Sequence, residues 1–180
     1  ESWDVITLVR DPLARNISAF FHNLTELFPP EESIDGILGK SVEELREVFI
    51  NHYPPDNVWF QTQLEPLTGI DVYSIPFDHE EKCIVAEGDR CRLLVLRTED
   101  LSKTGAACTA RFLGLENLKF INANEAANKI YKEMYKNFVR NARLPDEYLD
   151  QMYGSQLARH FYKPEEIAVF RERWRGGGGS

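Results

Sequence analysis

The sequence predicts an α/β domain, a parallel sheet flanked by helices, with a helical C-terminal part. Three observations predict it. Val5-Ile-Thr-Leu-Val9 and Arg92-Leu-Leu-Val-Leu96 are short apolar runs, the first of them rich in β-branched residues. Unbroken runs of this kind suit strands covered on both faces of a parallel sheet. Each run leads directly into a helical pattern, and strands that alternate with helices define the α/β class. From Asn128 onward every signal is helical.

Taken in order, the first strand is expected to be buried on both faces. Asp11 then stands as N-cap and Pro12 as first helical residue, where proline loses no hydrogen bond. The helix continues through Leu13, Ile17, Phe20, Phe21 and Leu24 at 3.6-residue spacing and stops before Pro29-Pro30. Phe28 to Lys40 reads as a polar loop. Ser41-Val-Glu-Glu44 is a capping box for a second helix to about Asn51. After Pro54-Pro55, Asp56 can cap a third helix through Trp59, Phe60 and Leu64, ended by Gly69. Val72-Tyr-Ser-Ile75 is expected as a short strand. Cys83-Ile-Val-Ala86 and Arg92 to Leu96 are expected as a hairpin around Gly88, the latter as a central strand. Thr98-Glu-Asp-Leu101 leads into a helix through Phe112-Leu113. Asn128 to Asn141 is amphipathic, with Ile130, Met134 and Phe138 facing in. Pro145-Asp-Glu147 and Pro164-Glu-Glu166 place proline and acids at two helix starts, which suits the helix dipole.

The 180 residues fit one domain able to bury a core. Residues 1–175 are read as that domain. Gly176-Gly-Gly-Gly-Ser180 is read as a flexible linker remnant. The net charge of -8 argues against a nucleic-acid binder, which carries a basic surface. Any phosphate site must therefore be local, built from a few cations and backbone donors. No run approaches the roughly 18 apolar residues of a membrane span. The three cysteines are too few for a disulfide scaffold. Cys83 and Cys91 flank a turn and can face each other across the hairpin, as a disulfide or as ordinary buried thiols. Cys108 lies in Gly105-Ala-Ala-Cys-Thr-Ala110, a small-residue stretch suited to close helix packing.

Arg10 closes the first strand at its carboxyl end, where ligands of open α/β sheets bind. The helix start that follows offers free N–H groups and a partial positive charge to an anion. Arg10 can take a phosphate bidentately. Ser18 lies two helical turns further in, so it reaches a phosphate only along the helix flank. Arg15 adds charge or simply solvates the surface. The alternative from spacing alone is an Arg10 paired with Asp11 or another acid, with Ser18 as a packing residue.

Val9-Arg-Asp-Pro-Leu-Ala-Arg-Asn-Ile-Ser-Ala-Phe-Phe21 resembles the 3′-phosphate-binding segment of the sulfotransferases, which use 3′-phosphoadenosine 5′-phosphosulfate as donor. That family has a strand ending in Arg, then Asp-Pro, then Ser eight positions beyond the Arg. Leu93-Leu-Val-Leu-Arg-Thr-Glu-Asp-Leu101 resembles its late strand and turn. Phe112-Leu-Gly-Leu115 resembles the following helix end, and Phe161 to Trp174 its C-terminal helix. Asn57-Val-Trp-Phe60 and Gly69-Ile-Asp-Val-Tyr73 resemble a subgroup named for capsular polysaccharide synthesis. In that subgroup an acid is expected where Gln61 stands.

The resemblance implies a P-loop-like sheet and transfer of a sulfonate group to an acceptor hydroxyl, most simply on a carbohydrate. It implies that Arg10 and Ser18 hold the donor's 3′-phosphate, with Arg15 beside them and no metal. Thr98 falls where many members carry a tyrosine near the adenine. The family's Gly-rich 5′-phosphosulfate loop and its His or Glu base lie upstream of the matching segment. The N-terminal strand–loop–helix unit is therefore expected to be missing here, so the chain alone is expected to be incomplete and inactive. Lys40 follows Gly39, but no strand precedes it. His22, one turn beyond Ser18, and His52, before Tyr53-Pro-Pro, are the weak catalytic candidates. His79 is expected to be solvated and His160 structural. Asn16-Ile-Ser18 and Asn23-Leu-Thr25 fit the glycosylation pattern by chance. The compartment stays open between cytoplasm and Golgi lumen. A non-catalytic nucleotide- or partner-binding module of the same fold is the competing reading. A P-loop kinase is disfavoured because no Gly-x-x-x-x-Gly-Lys-Ser/Thr occurs.

Overall fold

The computed structural model describes residues 2–55, 58–121 and 131–175. Asp56 and Asn57, Asn128 to Ile130 and the glycine-rich end, each given a role above, lie outside the described residues. The chain forms two compact units, Glu1–Arg10 with Asn57–Asn122 and Asp11–Asp56 with Ala123–Ser180. It passes from the first to the second between Arg10 and Asp11.

The first unit carries a three-stranded sheet among its described residues, in the order β1-β3-β2. β1 (Trp3–Val9) runs parallel to β3 (Cys91–Arg97), with Trp3 opposite Cys91 and Val9 opposite Arg97. β2 (Cys83–Glu87) is antiparallel to β3. β3 is central as expected, and Leu93 to Arg97 are all buried. β1 departs from the expectation. It is paired only with β3 among the described strands, and Ile6 and Leu8 are 42% and 52% exposed. An apolar run marks a strand that can be covered on both faces, but the cover itself must come from another element.

The hairpin turns at Gly88, whose N–H donates to the Cys91 carbonyl at 2.8 Å. A Cβ there would meet the Thr68 carbonyl oxygen at 2.9 Å, so a side chain does not fit. The register sets Cys83 opposite Leu96, which puts Cys91 at the far end of β3 and not opposite Cys83. All three cysteines are free and buried. Val72–Ser74 is a 3₁₀ turn and not a strand, because the Asp71 side chain accepts from the Tyr73 N–H at 2.9 Å and curls the backbone. The expected third helix begins at Trp59, widens to a π-helical turn over Phe60–Leu64, and continues as Glu65–Thr68 until Gly69 ends it at φ 71. After β3, turns over Thr98–Asp100 and Leu101–Gly105 lead into a helix over Ala106–Leu113, ended by Gly114 at φ 66.

The described residues of the second unit are helical. α1 (Pro12–His22) begins as expected, with the Asp11 carboxylate accepting from the Leu13 N–H at 3.1 Å. α2 (Ile34–Leu38) lies inside the segment expected to be loop, started by Ser33 accepting from the Gly36 N–H. Five residues with a glycine among them are too short for a periodic signal. α3 (Val42–His52) carries the full Ser41–Glu44 capping box. In the first unit, Glu65–Thr68 is α4 and Ala106–Leu113 is α5. Then follow α6 (Lys132–Asn141), α7 (Asp146–Tyr153), α8 (Gln156–Phe161) and α9 (Pro164–Arg175).

Aromatic rings make the core of this unit. Phe20 and Phe21 of α1, Phe49 of α3 and Phe138 of α6 pack with centroids 5.0 to 5.9 Å apart, mostly edge to face. Trp174 of α9 is 1% exposed in the same cluster, and the Arg175–Asp146 and Arg171–Asp150 ion pairs bind α9 to α7. Phe138 is fully buried and touches three other rings, so Phe138→Ala should cost about 3–5 kcal/mol. Val169→Ala, at a position 68% exposed, should stay within about 0.5 kcal/mol of the parent. Midpoints of urea unfolding for the two variants check both.

Candidate functional site

In the first unit the parallel strands β1 and β3 end together at Val9 and Arg97. The Thr98 hydroxyl donates to the Val9 carbonyl at 3.0 Å, which ties the end of β1 to the turn that leaves β3. This bond fixes the backbone from which Arg10 departs. Thr98 is thus first a positioning residue, with its oxygen lone pairs still able to accept.

The two arginines at these strand ends behave differently. Arg97 is 2% exposed, and its Nε donates to the Asp100 carboxylate at 2.5 Å. Its guanidinium also lies over the Phe77 ring, 5.3 Å from the centroid. Arg97 is thereby built into the unit. Arg10 is half-buried, and its guanidinium has no hydrogen bond, ion pair or ring contact among the described residues. The pairing of Arg10 with a nearby acid, one reading of the sequence, is not observed among the described residues.

Beside Thr98 a groove of about 690 Å³ opens on the first unit. Its walls are Ile6, Leu8, Leu96, Leu101, Phe120 and Ile121, with the hydroxyls of Thr98, Ser102 and Thr109 among them and no charged group among the described residues. The Thr109 hydroxyl is buried without a partner among the described residues. Such a lining suits an uncharged ligand part that is flat or apolar and makes a few hydrogen bonds.

In the second unit the start of α1 is held from below. Asp11 is 3% exposed, and the oxygen that caps Leu13 also accepts from the Tyr153 hydroxyl at 3.0 Å. Burial pushes the Tyr153 phenol far above its ordinary range, and the Asp11 charge adds to the shift, so the phenol stays a donor. With its buried face turned to the core, α1 exposes Arg15, Ser18 and His22. Three- and four-residue spacing sets these on one helix face. The Arg15 Nη1 donates to the Asn16 side chain at 3.1 Å. Ser18 lies about 9 Å along the axis from Pro12 at about 1.5 Å per residue, beyond the free N–H groups of the first turn.

His52 is exposed at the end of α3, and its Nδ1 lies 2.9 Å from the Val48 carbonyl. The carbonyl can only accept, so Nδ1 carries the proton and Nε2 is the nitrogen left for chemistry. Lys40 pairs with Glu32 at 3.8 Å and lies over the Phe28 ring, which gives it a structural role. His79 is half-buried and packs edge-on against Phe77 at 5.1 Å, where full solvation was expected. His160 packs against Phe161 at 4.7 Å, the structural role expected of it. Asn16 is buried, which removes it as a glycosylation acceptor.

Three features escaped the sequence reading: the Arg97–Asp100 pair, the groove and the Tyr153 support of Asp11. Only the first left a local signal, an arginine ending an apolar strand three residues before an acid.

A sequence profile of the family described as "Putative capsular polysaccharide synthesis protein" matches residues 33–163, well over half of the chain. The chain belongs to this family. The match begins beyond the Arg10-to-Ser18 segment, so the family assignment and that segment are independent observations. No curated protein and no solved structure matches the chain. Among the described residues of this family member, no helix is long and apolar enough to cross a membrane. No group of three or more His, Cys, Asp or Glu side chains there could hold a metal ion.

Removing one partner of a buried ion pair strands the other charge. Arg97→Ala should therefore destabilise the protein by about 3–5 kcal/mol, while Arg97→Ala with Asp100→Ala should recover part of the loss. Chemical denaturation of the two single variants and the double variant measures it.

Proposed function

We propose that the protein is a sulfotransferase of polysaccharide synthesis, which moves a sulfonate group from 3′-phosphoadenosine 5′-phosphosulfate to an acceptor hydroxyl on a carbohydrate. The observation that carries this reading is Arg10. It is a cation with no acid partner among the described residues, placed at the carboxyl end of a parallel strand and followed directly by a capped helix. A strand end of that kind is where α/β proteins bind ligands, and an uncommitted guanidinium there suits a phosphate. The family's link to polysaccharide synthesis supports a carbohydrate acceptor. The parallel β1–β3 pair supports a P-loop-like sheet.

In this reading Arg10 takes the 3′-phosphate bidentately, and Ser18 is the second residue that the sulfotransferase resemblance assigns to it. Arg15, on the same exposed face, adds positive charge. The groove beside Thr98, uncharged among the described residues, suits the nucleobase, with Ser102 and Thr109 as its hydrogen-bonding groups. Threonine replaces the family's tyrosine there, so ring stacking from this position is lost. The reaction itself is a displacement at sulfur. The acceptor oxygen bonds to sulfur as the bond from sulfur to the 5′-phosphate oxygen breaks, adenosine 3′,5′-bisphosphate leaves, and the hydroxyl proton passes to a base. Neutralising the charge that spreads over the phosphosulfate needs cations near the sulfonate. Arg10 and Ser18 serve the far phosphate and do not meet that need. His22, on the face that holds Ser18, and His52, through Nε2, are the histidines of this chain able to serve as base.

The competing reading is a non-catalytic nucleotide-binding module of the same fold.

Calorimetric titration with adenosine 3′,5′-bisphosphate should show binding. Arg10→Ala should weaken it by about 2–4 kcal/mol, and Ser18→Ala by about 0.5–1.5 kcal/mol. Absence of heat from folded protein ends both readings. A sulfonate-transfer assay separates them, because turnover by this chain excludes the non-catalytic module.

A further inference from the structure

The three thiols of the first unit are not equivalent. Cys83 opens β2 and Cys108 lies in the middle of α5, and both are buried in one apolar cluster with Leu94, Leu96 and Phe112. The Cys108 thiol donates to the Glu81 carbonyl at 3.1 Å, two residues before Cys83, and the two cysteines share this cluster. Arg111, one helical turn on, brings Nη2 to 3.9 Å from the Cys108 sulfur and pairs with Glu81. Cys91 is held apart at the far end of β3, 3.6 Å from the Thr68 carbonyl. Cys83 also lines a pocket of about 360 Å³ whose rim includes Asp78, Glu81 and Arg111. A small reagent therefore has a route to that sulfur.

We propose that Cys83 and Cys108 are a redox dithiol, a modification site that closes to a disulfide on exchange with a small disulfide such as oxidised glutathione. The Cys83 thiolate attacks one sulfur of the reagent, forms a mixed disulfide and releases one reagent thiolate. The Cys108 thiolate then attacks the Cys83 sulfur, forms the Cys83–Cys108 bond and releases the second reagent thiolate. The two protons given up by the cysteines end on the two released thiols. The protein is oxidised by two electrons and the reagent reduced by two. Arg111 favours the second step, since a guanidinium beside a sulfur stabilises its thiolate. Burial, with the Cys108 thiol against it, pushes the Cys83 thiol up to about 12, which makes the first step slow. The product would bond the edge strand β2 to α5.

The full chain and its Cys91→Ser variant are equilibrated for days in buffers of rising oxidised-to-reduced glutathione ratio. Acid quenching, alkylation and peptide mapping without reduction then locate the bonds. The expected result is a Cys83–Cys108 cross-linked peptide, two mass units lighter than the sum of its parts, in both proteins. Cys91 of the parent remains alkylated. In guanidinium the preference should reverse toward Cys83–Cys91, because a shorter loop closes more readily. Two results overturn the proposal: Cys83 and Cys108 both alkylated at the most oxidising ratio, or Cys83 linked to Cys91 or held only as a mixed disulfide.

Discussion

β3 is the strand on which the first unit depends, because it alone among the described strands is hydrogen-bonded along both edges. Its residues Leu93 to Arg97 are removed from water together. A strand so placed must end where its last side chain can be satisfied, and Arg97 meets that demand through Asp100 and the Phe77 ring. The next residue, Thr98, reaches across to the Val9 carbonyl and sets the end of β1 level with the end of β3. Arg10 is then left at the strand end without a partner among the described residues. Of the two arginines at these strand ends, Arg97 takes the structural role, and Arg10 is the cation proposed to bind a ligand.

The second unit reaches a defined helix start by a different route. Asp11 is buried, and a buried carboxylate is costly unless donors surround it. The Leu13 N–H and the Tyr153 hydroxyl supply two of them. Tyr153 belongs to α7, far along the chain, so the cap of α1 is secured only once the helical unit has assembled. The aromatic cluster of Phe20, Phe21, Phe49 and Phe138 orients α1, and the face carrying Arg15, Ser18 and His22 is exposed as a result.

Membership of the capsular polysaccharide synthesis family rests on residues 33–163, whereas the phosphate-binding reading rests on residues before them. The two lines support one another because they make different statements. The family name gives a polysaccharide-related role, and the class of donor is what the proposed site at Arg10 and Ser18 would add. The groove beside Thr98 gave no sign in the sequence because its described walls come from β1, β3, the turns after β3, α5 and the segment at Phe120.

Features governed by neighbours along the chain were legible in the sequence. Asp11-Pro12, the Ser41–Glu44 box, the glycine stop after Thr68 and the hairpin at Gly88 all follow from local hydrogen bonding and backbone sterics, so residue type and spacing suffice for them. The parallel central strand was legible from its apolar run, and Arg10 from its place at a strand end. Tertiary structure decided the rest. Whether β1 is covered, whether Cys83 faces Cys91 or Cys108, and which of two strand-end arginines is spent inside the protein depend on elements distant in sequence. Burial and pairing are properties of the assembled neighbours, and a side chain's own chemistry states only what it requires of them.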